Sequence, residues 1–226
     1  MLTRQDLVNL LLDFIDVWIH QILYERDLYP AAIFSLKRKY DVPVHIAAHE
    51  GVASYVSEFV ESLKPLVRQG NCKRIALKII APSNNRLLER FVFEIDSALR
   101  ALDVPIDTVL DSEATCSLAD VQQQLRACLL RMTATRSTLS SNPPDCTFTL
   151  TVETYSGPPQ DQGRGSREDY HVDWIPSSSA QEGIEVAGEQ QHRWNSLIPI
   201  KTIPMDLFKV NVFVMEAVKK GKHISR

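Results

Sequence analysis

The final third of this chain constrains its fold most, because strand-like sequence stops there, gives way to a long polar stretch and then resumes. Thr147–Thr154 alternates Phe148, Leu150 and Val152 with threonines, the period-two pattern of a half-buried antiparallel strand. Strand-like sequence returns at Leu197–Thr202 and Leu207–Met215. Between them, Tyr155–Gln191 carries Gly157-Pro158-Pro159, Gly163, Gly165, serines at 177 to 179 and an excess of Asp and Glu over Arg. A connection of that length inside a compact domain is uncommon and is usually functional or disordered. Its exception is Tyr170-His171-Val172-Asp173-Trp174-Ile175, an aromatic and β-branched island. A compact core followed by a mobile crossing that ends in more strand predicts a C-terminal segment able to be repositioned, as in a clamp.

Upstream, the spacing of Leu7, Leu11, Phe14, Trp18 and Ile22 predicts a helix, and Leu10, Val17 and Ile19 widen its stripe toward burial all round. Thr3 followed by Asp6 predicts its N-cap, and Pro30 its end. A second helix is expected over Glu50–Val67, with Val52, Tyr55, Val56, Phe59, Val60, Leu63 and Leu66 on one face and Gly70 just past its end. A third is expected over Leu118–Met132, capped by Ser117 with Asp120 and packed through Val121, Leu125, Leu129 and Met132. Arg74–Ala81 and Phe91–Ile95 alternate apolar side chains on either side of Asn84-Asn85, which predicts a hairpin. The fold class is therefore α+β, with helices packed on one side of a mainly antiparallel sheet.

The 226 residues, 44% of them hydrophobic, fit a single domain with a sizeable core. A net charge of −3 argues against a nonspecific grip on DNA, which needs clustered Lys and Arg. Lys37-Arg38-Lys39 reads as a solvated loop, with no aromatic residue interleaved. The longest apolar run, Leu10–Ile15, is broken by Asp13, and Asp16, His20 and Glu25 follow it, so neither a signal peptide nor a membrane span is expected. Cys72, Cys116, Cys128 and Cys146 form no C-x-x-C pair and read as reduced, mostly buried thiols of an intracellular protein.

His45 and His49 would share a face if helical, as a metal site requires. The residues between them, Ile46-Ala47-Ala48, supply no glutamate base, and Val42-Pro43-Val44 predicts extended chain instead. No Gly-rich phosphate loop and no G-x-S-x-G element occurs. The sequence therefore points away from catalysis, and neither metal nor cofactor is expected.

Several ordered runs carry a family resemblance. They are Leu2-Thr3-Arg4-Gln5-Asp6-Leu7, Ile22-Leu23-Tyr24, Tyr29-Pro30, Ile33-Phe34 and Lys37-Arg38-Lys39-Tyr40-Asp41-Val42-Pro43-Val44. Further on stand Lys64-Pro65-Leu66, Glu89-Arg90-Phe91-Val92-Phe93-Glu94-Ile95, Leu125-Arg126-Ala127, Asn142-Pro143-Pro144-Asp145-Cys146-Thr147-Phe148-Thr149 and Leu197-Ile198-Pro199-Ile200-Lys201-Thr202. In order and spacing the chain resembles the HORMA-domain family, and within it the accessory subunits of translesion DNA polymerase zeta. The resemblance covers nearly the whole chain and is weakest from Tyr155 to Trp194.

The resemblance implies a single HORMA domain over 1–226: three central helices on a sheet within a core of 1–154, and a C-terminal safety belt over 155–226. The belt in that family wraps across an extended peptide of a partner. It implies a noncatalytic nuclear adaptor that traps a segment of the catalytic subunit of DNA polymerase zeta and bridges it to the C-terminal domain of the Y-family scaffold polymerase. No direct DNA contact and no membrane contact is implied. The alternative within the family is a checkpoint or meiotic-chromosome adaptor with a different closure peptide.

Residue by residue, Tyr55 stands where relatives contact the trapped peptide, although its spacing alone favours a core aromatic. Trp174 matches the belt tryptophan that closes over the same peptide, and Pro176 departs from the leucine usual in relatives. Leu197, Asn211 and Phe213 fall on strands that bind the scaffold polymerase in relatives, which carry a longer amide and a tyrosine at the last two positions. Asn211 and Phe213 share a strand face by alternation, and an inward core position for Phe213 is the competing reading. Arg126 matches an arginine that supports pairing between two HORMA domains, its alternative being a solvated charge.

Overall fold

The computed structural model describes residues 3–97, 117–155, 194–205, 208–218 and 220. In chain order the elements are α1 (Arg4–Glu25), a 3₁₀ turn (Ala31–Ile33), β1 (Phe34–Lys39), β2 (Val42–Ala47), α2 (Glu50–Arg68), β3 (Cys72–Ala81) and β4 (Arg86–Ser97). They continue as α3 (Leu118–Thr135), β5 (Thr147–Thr154), β6 (Trp194–Met205) and β7 (Phe208–Ala217). Cys116 and Trp174 lie outside the described residues, as does most of the stretch 155–193.

α1 starts at the expected capping box. The Thr3 hydroxyl accepts the Asp6 backbone N–H at 3.1 Å, and the Asp6 carboxylate accepts the Thr3 backbone N–H at 2.9 Å, so orphan donors of the first turn are satisfied. Pro30 does not end the helix. Asp27, at φ 51°, takes the left-handed position after the cap, and the Asp27 and Leu28 N–H groups donate back to the Tyr24 and Leu23 carbonyls. α2 ends in the same motif with Gly70 at φ 67°, and the Gly70 and Asn71 N–H groups return to Val67 and Leu66. α3 opens on the Ser117–Asp120 capping box and runs three residues past the expected end at Met132.

α1 is the centre of the fold. Leu7, Leu11, Phe14, Ile15, Val17, Trp18, Ile19, Ile22 and Leu23 are all fully buried, so the helix has no solvent stripe of the usual width. Its length and apolarity would suffice to cross a membrane, but 72% of that window is buried inside the fold, as expected of a core helix. Trp18 and Phe14 meet Phe93 of β4 at 5.6 and 6.0 Å between ring centroids, which ties the helix to the sheet.

Among the described residues the sheet has five antiparallel strands in the order β5-β3-β4-β7-β6. Ile75, Leu77, Ile79, Phe93, Ile95, Val210, Val212 and Val214 point inward to the helices and belong to one buried cluster. β5 and β6 thus form the two edges of this order, on opposite sides of the sheet. Four inter-strand steps of about 4.8 Å separate the two edges by roughly 19 Å.

A second, two-stranded sheet, β1-β2, was not expected. Lys37-Arg38-Lys39 is part of β1 and not a loop, and Val42–Ala47 pairs with it antiparallel. This geometry separates the two histidines: His45 lies in β2 with its ring stacked on Tyr24 at 3.4 Å, and His49 occupies the N-cap position of α2 without a side-chain capping bond. They do not share a helical face. Burial holds the His45 imidazole below its ordinary pKa, against the opposing pull of the Glu25 carboxylate. Cys72, Cys128 and Cys146 are free thiols, and burial pushes the first two up to about 12.

Candidate partner-binding surfaces

β5 pairs only with β3, so among the described residues its outer edge has no strand partner. An edge strand of this kind is a template for one further strand. Beside this edge stands Tyr55. The buried stripe of α2 is Val52, Val56, Val60, Leu63, Leu66 and Val67, and Tyr55 flanks it with 45% of its surface exposed. Its ring meets Phe148 of β5 edge-on at 5.7 Å, and Tyr29, in the loop after α1, meets the same Phe148 at 6.2 Å. Tyr55 is therefore not a core aromatic. Its hydroxyl makes no hydrogen bond among the described residues, so the row Tyr29, Phe148, Tyr55 offers apolar ring faces with a polar tip next to an open strand edge.

The second surface is the sheet face turned away from the helices. Val210, Val212 and Val214 of β7 point inward, so Asn211, Phe213 and Met215 point outward. Leu197 lies directly across from Met215, and Pro199 across from Phe213, which brings Leu197 onto the same outer face with 58% of its surface exposed. Phe213 is half-buried there and is no inward core residue.

One row of this face is polar across all five strands. Glu153 of β5 stands opposite Arg74 of β3, Arg74 opposite Glu94 of β4, Glu94 opposite Asn211 of β7, and Asn211 opposite Thr202 of β6. Arg74 donates from Nε to Glu94 Oε1 at 2.8 Å and from a terminal nitrogen to Glu153 Oε2 at 3.2 Å. Lys73 adds a contact to Glu153 Oε1 at 2.5 Å. Asn211 Nδ2 donates to Glu94 Oε2 at 3.3 Å, and Thr202 Oγ1 donates to Asn211 Oδ1 at 2.9 Å. Burial works against the Arg74 cation, but the bonds to Glu94 and the charge of Glu153 outweigh it and hold its pKa above the ordinary value. Burial likewise raises Glu153, yet Lys73 and Arg74 together hold it below the usual carboxylate range.

A third surface lies on α3. Its buried side is Val121, Leu125, Cys128, Leu129 and Met132, and the exposed side carries Leu118, Gln122, Arg126 and Leu130 at successive four-residue steps. Arg126 makes no ion pair among the described residues, and Leu118 and Leu130 keep 45% and 50% of their surface exposed around it.

A HORMA domain profile matches residues 8–177. The chain belongs to the HORMA-domain family. Among relatives, mitotic spindle assembly checkpoint protein MAD2B of Danio rerio is 33% identical over 230 residues, covering 97% of this chain and 98% of that protein. The DNA polymerase zeta processivity subunit of Schizosaccharomyces pombe is 32% identical over 148 residues, 66% of this chain and 68% of that protein. Among solved structures, C. elegans HTP-2 bound to a HIM-3 closure motif superposes with a TM-score of 0.63 at 12% identity, covering 95% of this chain and 91% of that one. The last likeness is one of fold.

In this HORMA domain the structure brings Tyr55 to the β5 edge and gathers Leu197, Asn211 and Phe213 on one outer face, some strands away. Arg126 stands apart from both on α3. Trp174 lies outside the described residues. Sequence reasoning missed Tyr29 and Phe148 as members of the Tyr55 surface. Phe148 shares a strand face with Leu150 and Val152, as the alternation predicts, and only the α2–β5 juxtaposition reveals its role beside Tyr55. Leu130 was missed as well, although a helical wheel of α3 with Arg126 at its centre would have found it.

Proposed function

We propose that this HORMA domain is a noncatalytic adaptor of DNA polymerase zeta in the nucleus. It takes an extended segment of the catalytic subunit as an added strand on the β5 edge, gripped by Tyr55 and closed over by Trp174. On the far side of the sheet, Leu197, Asn211 and Phe213 meet the C-terminal domain of the Y-family scaffold polymerase. Arg126, between Leu118 and Leu130, pairs the domain with another HORMA domain. The observation that carries this reading is the exposed Tyr55 packed edge-on against Phe148 beside a strand edge that has no strand partner among the described residues. Main-chain hydrogen bonds along that edge supply affinity, and the aromatic row supplies side-chain selection. Two partners held on one adaptor then meet at a high effective concentration without new contacts between them.

Co-expression with extended segments of the catalytic subunit, followed by size-exclusion chromatography and titration, tests the reading. A stable complex that Tyr55→Ala weakens by about 20-fold, the size expected of a buried aromatic anchor, supports it. No complex with any such segment overturns the polymerase assignment. The checkpoint name carried by one relative favours a second reading, a checkpoint or meiotic adaptor with a different closure peptide on the same edge. Survival after ultraviolet damage against arrest by spindle poison in a deletion strain separates the two.

A further inference from the structure

The polar row across the sheet has a consequence for what Asn211 can recognise. A carboxamide has a donor end and an acceptor end, and an unrestrained side chain presents either by turning over. Asn211 is not unrestrained. An ionised carboxylate accepts only, so Glu94 Oε2 at 3.3 Å requires the nitrogen end of Asn211 to face β4. Thr202 Oγ1, 2.9 Å from the other end, then donates to the oxygen and holds it toward β6. Glu94 is itself oriented by two Arg74 nitrogens on Oε1, which leaves Oε2 for Asn211. Arg74 in turn is held from the opposite side by Glu153.

We propose that Arg74 and Glu94 are positioning residues for the outer-face binding surface, fixing the Asn211 amide so that it presents one N–H on its β4 side and one oxygen lone pair on its β6 side. The group that fits this pair is itself a donor and acceptor side by side, a backbone peptide group or a carboxamide side chain. A partner carboxylate is disfavoured at this amide, because Glu94 already lies against its nitrogen. Phe213, one alternation further along β7, supplies the apolar anchor beside this polar pair.

The inference rests on the reading of Leu197, Asn211 and Phe213 as the surface for the Y-family polymerase C-terminal domain, and its test keeps the two apart. That domain is titrated calorimetrically into the full chain and into Phe213→Ala, Asn211→Ala, Glu94→Gln, Arg74→Met and Arg74→Lys. Glu94→Gln and Arg74→Met are expected to weaken binding about tenfold, the size of one charge-assisted hydrogen bond, and Arg74→Lys to recover most of it. The unfolding midpoint is expected to hold, since half-exposed ion pairs contribute little to stability. In the unbound chain, the side-chain amide resonances of Asn211 should move in Glu94→Gln and Arg74→Met and return in Arg74→Lys, which a general loss of stability does not produce. Unchanged affinity in Glu94→Gln and Arg74→Met, with Phe213→Ala impaired, overturns the positioning role alone. Wild-type affinity in Phe213→Ala and Asn211→Ala overturns the surface itself and the positioning role with it.

Discussion

Tyr55 follows the exposed Ser54 and precedes the fully buried Val56, so its ring lies at the waterline of α2 and not inside the core. Its neighbour Phe148 is the more informative residue to change, since it touches Tyr55 and Tyr29 together while only half-buried. Phe148→Ala is expected to loosen peptide capture about tenfold through loss of the platform under Tyr55, with a stability cost of about 1–2 kcal/mol, less than for a core phenylalanine. Equal affinity of Phe148→Ala and wild type for a catalytic-subunit segment would remove it from the site. His20 makes a different kind of prediction. It is buried, its Nδ1 accepts the Ala47 N–H at 3.4 Å, and burial lowers its pKa to about 4. The Asp16 carboxylate lies 3.8 Å from Nε2, and burial nonetheless governs the shift of His20. In the unfolded chain His20 takes up a proton near pH 6.5, whereas in the fold it stays neutral until about pH 4. Its contribution is therefore complete above pH 6.5 and lost progressively down to pH 4, on the order of 3 kcal/mol in total. Urea unfolding across that window checks the direction, and a stability that stays level from pH 7 to pH 5 contradicts it.

At the scale of elements, the capping boxes were legible because each rests on a three-residue spacing. Ser117→Ala removes the hydroxyl that accepts the Asp120 N–H at 3.2 Å and donates to the Asp120 carboxylate, leaving that carboxylate only the Ser117 backbone N–H. It should cost about 1 kcal/mol in denaturant unfolding, and Asp120→Ala much the same, with the double variant less than additive. The end of α1 was misplaced because the left-handed position is filled by Asp27 and not by glycine, and Pro30 drew attention as the stronger breaker. Asp27 is held there by more than its own backbone, since its carboxylate also receives Arg136 at 2.9 Å. The β1-β2 hairpin was invisible for two physical reasons. Its turn uses Tyr40 and Asp41 at φ 48° and 59°, the backbone of a type I′ turn without the Asn-Gly sequence that usually announces it. Three successive residues of β1, Leu36 to Arg38, are exposed, so the strand shows no alternation to read. The large sheet was easier, because β3, β4, β5 and β7 each bury alternate apolar residues against the same helices. What the sequence could not supply was juxtaposition: Tyr29 with Phe148, or the row from Glu153 to Thr202, exists only once the strands are in register.

For the molecule as a whole, the decisive contacts join the first helix to the last strand. Beyond the end of α1, Arg26 forms a two-pronged bond with the fully buried Glu89 of β4, at 2.8 and 2.6 Å. Lys220, past the end of β7, bonds the same Glu89 and lies 2.7 Å from Glu216. Ser140 ties the set together, its carbonyl accepting from Arg26 and Lys220 at 2.7 and 2.8 Å and its N–H and hydroxyl donating to Glu216. Two cations and two carboxylates are thus buried as a neutral group that fastens the C-terminal hairpin to the core. Burial pushes Glu216 upward, but the hydrogen bonds from Lys220 and Ser140 prevail and hold it below its ordinary pKa. Its contribution is present above the unfolded carboxylate range and is lost as pH falls through the lower folded value. The group also divides along the chain into two neutral halves, Arg26 with Glu89 in the core and Glu216 with Lys220 in the C-terminal segment. Removing one member breaks that balance, whereas removing a matched pair does not. Lys220→Met should therefore cost about 3 kcal/mol, because Glu89 and Glu216 are left crowded around a single cation. Glu216→Gln with Lys220→Met should cost less than the sum of the two single changes, since the pair that remains, Arg26 with Glu89, is self-sufficient. A double-variant cycle by urea unfolding measures the difference, and strict additivity would show that the four charges act independently and do not fasten the hairpin as a unit.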